Sequence, residues 1–216
     1  MPGKSDETYV RYAKSSVKLL QRTTGADPNQ RFLDVGSGPG RLLIGMLAKW
    51  GSVGCYCGLD VDARSISWAQ QHLGQSGDVR FELLDGLSER YNPQGVKIDR
   101  TFRFPLEDAS FDLATLFSVF SHMWLFEIEV YLSELRRVLA SDGTVFATLF
   151  VEDDVPDEEE NPKGYITEWS GPRHCIRLNR PAFEKMALEQ GFKLASFEHR
   201  AMSSGQSVYV LTARDG

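Results

Sequence analysis

Long apolar runs are missing from this 216-residue chain. None approaches the roughly 20 residues that a membrane-crossing helix needs, so no membrane partner is expected. Residues 1–6 carry no apolar stretch of the secretory kind, and a cytoplasmic location is the expectation. Cysteine is scarce and odd in number: Cys55, Cys57 and Cys175. An odd count with no leader argues for reduced thiols. Cys55 and Cys57 alternate along an apolar stretch, which reads as core packing on a buried strand rather than a metal pair. An excess of basic charge is also absent. The net charge is −6, and residues 152–160 alone supply seven acids and no base, leaving the rest of the chain close to neutral. Nucleic-acid binding needs a basic stripe, so no nucleic-acid partner is expected. Internal repeats and low-complexity tracts are lacking beyond that acidic run. Clustered oxygen ligands are lacking too. Asp153-Asp154 is the one hint, no acid at the end of the fourth strand completes a site, and no metal is expected.

What is present is a glycine-rich turn. The length suits one α/β domain over 1–216. An apolar strand over 31–35 runs into Gly36-Ser37-Gly38-Pro39-Gly40, and a helix opens at Arg41 and continues to residue 50. Glycine allows positive φ and removes Cβ atoms that would block a close ligand. The helix start then offers free N–H groups. Together these make a floor for a flat, polar, nucleoside-like molecule.

The spacing is G-x-G-x-G, whereas a dinucleotide-binding turn reads G-x-G-x-x-G. D-V-G-S-G-P-G-R instead resembles motif I of the class I S-adenosylmethionine (SAM)-dependent methyltransferases. That resemblance implies SAM as cofactor, S-adenosylhomocysteine as product, and a cofactor turn built from Asp34, Gly36, Ser37, Gly38 and Gly40. A second strand over 54–59 ends in Asp60-Val61-Asp62. G-L-D-V-D resembles the family's second signature, with Asp60 on the ribose hydroxyls and Val61 beside it. Asp62 reads as the N-cap of a helix over 63–73. A third strand over 78–84 ends in Asp85-Gly86. The family places an acid here near the adenine amino group, and a plain turn residue is the alternative for Asp85. A fourth strand over 111–117 puts Phe117 and Ser118 at its carboxyl end, where ligands bind in open α/β sheets. The run Arg137-Val138-Leu139, then Ser141-Asp142-Gly143 and a strand over 144–151, is a further resemblance. The implied fold is α/β and Rossmann-like: a doubly wound, mostly parallel seven-stranded sheet, with a reversed C-terminal edge hairpin and helices on both faces.

Other segments fill out the expectation. Val10, Ala13, Val17 and Leu20 recur at helical spacing over 8–23. In the family such a helix caps the cofactor cleft, which implies a cap over 1–30. Tyr9 and Tyr12 read either as cofactor contacts or as packing. Leu125, Ile128, Leu132, Leu135 and Leu139 mark another amphipathic helix. Asn179 reads as the N-cap of a helix that ends at Gly191, and strands over 192–198 and 207–212 close the sheet. Two stretches depart from a doubly wound pattern. Residues 86–105 lack the crossover helix expected between parallel strands, with Phe102 and Phe104 turned inward. Residues 152–178 open on the acidic run, read as a solvated face. They continue into Tyr165, Glu168, Trp169, Arg173 and His174, read as a lid. Both insertions are expected near the substrate.

A small-molecule acceptor, a sugar or secondary metabolite, suits the small size and the lack of a basic face. His122, just past the fourth strand, is the candidate general base, because imidazole titrates near neutral pH. Its alternative role is to cap the following helix or pack against the cofactor, and His174 is a second candidate. Tyr91, Asn92, Met123, Trp169 and His174 are candidate substrate contacts. Two other readings stay open: a non-catalytic SAM-binding regulator, and a nicotinamide-dependent oxidoreductase on a related fold. A monomer and a homodimer fit equally.

Overall fold

The computed structural model describes residues 6–74 and 77–214. Residues 1–5 of the expected cap, and residues 215–216 of the expected domain, lie outside the described residues. The elements in chain order are α1 (Asp6–Thr24), β1 (Arg31–Val35), α2 (Arg41–Trp50), β2 (Cys55–Asp60), α3 (Ala63–His72), β3 (Val79–Leu83) and β4 (Phe111–Leu116). A 3-10 turn, Phe120–His122, then precedes α4 (Leu125–Val138), β5 (Leu139–Glu152), β6 (Glu158–Glu160), β7 (Ile176–Asn179), α5 (Arg180–Glu189), β8 (Phe192–Glu198) and β9 (Ser207–Ala213).

The central strands are parallel and lie in the order β3-β2-β1-β4-β5. β9 pairs antiparallel with β5, and β8 antiparallel with β9. These seven strands are the expected sheet, and within it β9 alone is reversed. The strand order turns back at β1 and β4, so a crevice opens beyond their carboxyl ends.

The apolar pattern explains the layering. β1, β2 and β4 are buried over nearly their whole lengths, as sheets covered on both faces require. One apolar layer joins β1, β2, β4 and β5 to α4 and α5; the other joins the sheet to α1, α2 and α3. α1 lies tightly on α2. A Cβ on Gly45 would sit 2.4 Å from the Ala13 carbonyl oxygen, so a side chain there would force the helices apart. Arg41 ties the same pair together through a 2.7 Å bond to Ser16 Oγ.

Three expectations need correction. The Ser141-Asp142-Gly143 turn is not separate from the strand: β5 starts at Leu139 and absorbs it as a bulge. Phe111 pairs with Leu139 and Leu113 with Thr144, so β5 spends five residues where β4 spends two. The sheet is also larger than seven strands. The far end of β5, Phe150 to Glu152, pairs with β7, and β7 pairs with β6. Finally, the acidic run is not merely a solvated face. Glu158–Glu160 is the edge strand β6. Glu158 accepts the Leu125 N–H at 2.6 Å, Glu159 pairs with Arg177, and Asp153 binds Arg180 at 2.8 Å. Opposite charges on neighbouring elements hold an otherwise repulsive segment in place.

Residues 84–110 form neither helix nor strand; two isolated bridges, Gly86 with Val96 and Ser88 with Asn92, and local turn bonds organise their first part. α4 pins the remainder. Phe102 and Phe104 are buried on Tyr131, one ring stacked and one edge-on. The buried Glu134 accepts the Phe104 N–H at 2.8 Å. Arg137 donates to the carbonyls of Phe104 and Leu106 and to the Asp108 carboxylate. A side-chain acceptor and a side-chain donor thus replace a ladder in satisfying this backbone. Among the described residues, no helix is long and apolar enough to cross a membrane.

Candidate active site

A cavity of about 380 Å³ opens beyond the carboxyl ends of β1, β2 and β4, a volume ordinary for a small-ligand site. Its floor is the glycine turn. Gly36 has φ 74°, and a Cβ there would lie 2.4 Å from Val119 Cγ2, so both conformation and space demand glycine. The N-cap of α2 is Gly40, in the left-handed region with no side-chain cap, which leaves the first-turn N–H groups uncovered by any side chain.

Asp60, the last residue of β2, lines the cavity beside Val61 and Asp62. Its Oδ2 accepts the Gly38 N–H at 2.6 Å and its Oδ1 the Asp62 N–H at 2.8 Å. Each oxygen keeps acceptor capacity for a hydroxyl. Burial pushes its pKa up, against the pull of those backbone donors. Asp62 caps α3 as expected, accepting from Arg64 N, and also binds Ser65 Oγ at 2.7 Å. Its place in the cavity wall goes beyond that capping role.

Asp34 is not in the wall. It is buried beneath the turn, where it accepts from Tyr56 Oη at 2.6 Å and Thr115 Oγ1 at 2.7 Å. Desolvation raises its pKa to about 6, although both hydroxyls act to lower it. It therefore braces β1 against β2 and β4 from below. Ser37 and Gly40 likewise shape the turn without lining the cavity. Tyr9 and Tyr12 are also absent from the wall. Tyr9 is half-buried near Arg41, and Tyr12 is exposed against Arg11.

Phe117 and Ser118 form the wall at the end of β4. The Phe117 ring lies between Phe146 and the Arg41 guanidinium. Ser118 has φ 59°, held by a 2.8 Å bond from its N–H to Thr148 Oγ1 and by its own hydroxyl donating to Gln206. This bend turns the chain so that Val119, His122 and Met123 also reach the cavity.

His122 Nδ1 lies 2.9 Å from the Arg173 carbonyl oxygen. A carbonyl only accepts, so Nδ1 carries the proton and the neutral ring keeps its lone pair on Nε2. Burial holds its pKa below the usual imidazole range, and the positive charge of Arg90 acts the same way. A buried, neutral imidazole of fixed tautomer is therefore part of the cavity wall.

The candidate substrate residues divide. Tyr91 and Met123 line the cavity, with the Tyr91 ring edge-on to His122. Asn92, Asp85 and Gly86 do not. Asn92 Nδ2 bridges Asp85 Oδ1 at 3.3 Å and the Gly86 carbonyl at 3.2 Å, which makes this trio the brace of the loop after β3. Trp169 and His174 also lie outside the wall. Trp169 packs on Phe150 and donates to the Tyr165 carbonyl, and His174 packs on Trp169. Of the expected lid, Arg173 alone reaches the cavity. Glu127 and Tyr131, from the inner face of α4, also line it. Both sit on the helical face that reads as plain core, and only their polar groups hinted at more.

A family profile described as a methyltransferase domain matches residues 33–147. The malonyl-[acyl-carrier protein] O-methyltransferase of Geobacter sulfurreducens is 29% identical over 148 residues, covering 66% of this chain and 48% of that protein. The chain thus spans about half the length of this curated relative. Among solved structures, a Burkholderia thailandensis 1,6-didemethyltoxoflavin-N1-methyltransferase, with bound 1,6-didemethyltoxoflavin and S-adenosylhomocysteine, aligns with TM-score 0.61 and 17% identity. The match covers 98% of this chain and 80% of that one. A Streptomyces coelicolor geranyl diphosphate C-methyltransferase aligns with TM-score 0.60 and 16% identity over 100% and 87%. At these identities the likeness is one of fold.

Proposed function

Since the chain belongs to the methyltransferase domain family, we propose that it methylates a hydroxyl of a small molecule, with His122 as the general base. SAM is its cofactor, which supplies an electrophilic methyl group on a positively charged sulfur. The residues present suit that molecule: Asp60 for the ribose hydroxyls, the Gly36–Gly38 backbone for close approach, and Val61 and Phe117 as apolar walls. Membership of this family displaces the nicotinamide reading, as does the G-x-G-x-G spacing of the turn.

The observation that carries the proposal is the placement of His122 in the cavity wall with its Nδ1 2.9 Å from a carbonyl oxygen. A hydroxyl is a weak nucleophile until its proton is taken. His122 lines the cavity, burial disfavours its charged form, and Nε2 is the nitrogen able to accept that proton. Tyr91, Met123 and Tyr131 supply a largely apolar surround that keeps water from competing for the methyl group. The modest volume of the cavity favours an acceptor of metabolite size, such as a sugar or a phenolic secondary metabolite.

The test is turnover of a panel of small hydroxylated and amine acceptors, read as S-adenosylhomocysteine formed. For a productive hydroxyl acceptor, His122→Gln is expected to lower kcat by about 10²–10⁴-fold while S-adenosylhomocysteine affinity stays within about twofold. Wild-type kcat should rise with pH to a plateau whose midpoint lies below the usual imidazole value, because only the neutral ring acts. Full turnover in the variant, or amine acceptors alone being productive, would refute the base assignment.

A further inference from the structure

Arg173 is a point of convergence. It stands in the segment between β6 and β7, with φ 48°, a left-handed conformation that a non-glycine side chain adopts only when its surroundings enforce it. Its N–H donates to Glu160 at 2.5 Å. Its Nη1 donates to both carboxylate oxygens of Glu127 on α4, each at 2.8 Å. Its Nη2 pairs with Glu89 of the loop after β3 at 2.9 Å. The guanidinium lies over the Trp124 ring, 5.8 Å from its centre. Its Nε is buried, with no acceptor among the described residues.

The unmet donor and the left-handed backbone are both costs. An arrangement chosen for stability alone would relieve them. What it achieves instead is placement: the Arg173 carbonyl is set 2.9 Å from His122 Nδ1. Glu127 is nearly buried, whereas Glu89 is about half exposed. The clamp therefore has one fixed jaw on α4 and one on a surface loop.

We propose that Arg173 is a positioning residue: its carbonyl fixes which nitrogen of His122 carries the proton, and its pairs with Glu127 and Glu89 hold that carbonyl in place. The significance for turnover rests on His122 being the base, but the effect on the imidazole does not. The charged and titratable groups facing that ring are Arg90 and Tyr91 from the loop after β3, and Arg173 and His174 from the segment before β7. None of them is a carboxylate, so the tautomer is set by backbone, with the Arg173 carbonyl at 2.9 Å the leading contact and the His174 backbone a lesser one.

The experiment is long-range proton–nitrogen correlation of protein labelled with ¹⁵N at histidine, above neutral pH. The chain has four histidines, and the signal absent from His122→Gln assigns this one. Wild type is expected to show a single Nδ1–H tautomer at His122. Arg173→Gln, which keeps the peptide carbonyl but loses both ion pairs, is expected to show a mixture of tautomers and a lowered titration midpoint, because the carbonyl bond that it loosens favours the protonated ring. Glu89→Gln should move both in the same direction by less, and wild type in 1 M salt should resemble it. If Arg173→Gln fails to fold, Glu89→Gln and the salt series carry the test. An Nε2–H tautomer in wild type would overturn the proposal. So would a pure Nδ1–H ring and unmoved midpoint in whichever of these variants fold and in high salt. Loss of the base assignment alone would appear differently, as full turnover in His122→Gln with these tautomer shifts intact.

Discussion

Asp34→Asn should change the pH dependence of stability without disturbing the fold. Asp34 is buried, and its pKa rises from 3.8 to about 6 on folding. The folded chain therefore holds a proton that the unfolded chain has released between those two values. Linkage fixes the sign: wild-type stability from this group falls as pH rises from about 4 to about 6, then stays level. A gap of roughly two pH units corresponds to about 3 kcal/mol at full ionisation. Asparagine cannot ionise, yet it offers a carbonyl to one hydroxyl and an amide to the other. Tyr56 and Thr115 can each reorient their O–H, so both contacts can be re-formed. The assay is urea unfolding of both proteins from pH 4 to 7.5, reading the difference in unfolding free energy. Every other titrating group is shared and cancels. Imperfect geometry at the amide adds a constant offset, so only the slope matters. The variant should gain on wild type by up to about 3 kcal/mol as pH rises, most of it below pH 6. A flat difference, or one of opposite sign, would refute the account of Asp34 as a carboxylate kept at a cost beneath the turn.

Other expectations concern the cavity directly. Asp60→Ala should weaken S-adenosylhomocysteine binding at least about tenfold in calorimetry, since charge-assisted hydrogen bonds are removed; unchanged affinity would move the ribose site elsewhere. Gly38→Val should fold, because a Cβ there meets no atom within 4 Å, although its φ of 52° costs stability. Its side chain should nonetheless occupy the floor and abolish cofactor binding, and retained binding would place the site off this turn.

Much of this architecture was legible in the chain. The apolar run before Gly36, the leucine steps of α4 and the Asn179 cap are local signals, and each element formed where its signal lay. Asp60 at the end of β2 is legible from the apolar run that it closes and from the resemblance that G-L-D-V-D carries. Asp85 shows the limit. An acid at a strand end looks alike whether it faces a ligand or a neighbouring loop, and here Asn92 takes it. Trp169 and His174 fail for a related reason: aromatic residues in an irregular segment pack where the nearest apolar surface is, and Phe150 supplies it. Arg173, Glu89 and Glu127 are separated widely in the chain, so no periodicity links them. Their meeting depends on β7 adding to the far end of β5, a long-range pairing that leaves no local mark.

The length of β5 has a mechanical consequence. Fourteen residues long, it carries β4 and β9 along its middle and β7 at its tip. The segment bearing Arg173 is thus stitched by backbone bonds to the stiffest part of the molecule. The opposite rim, residues 84–96, has no strand ladder and is held by two isolated bridges, local turn bonds and side chains. Traffic into the cavity should therefore follow the softer rim. Amide exchange should reveal a hard side and a yielding side of one doorway, with Tyr91 and Glu89 moving while the β5–β7 frame stands still.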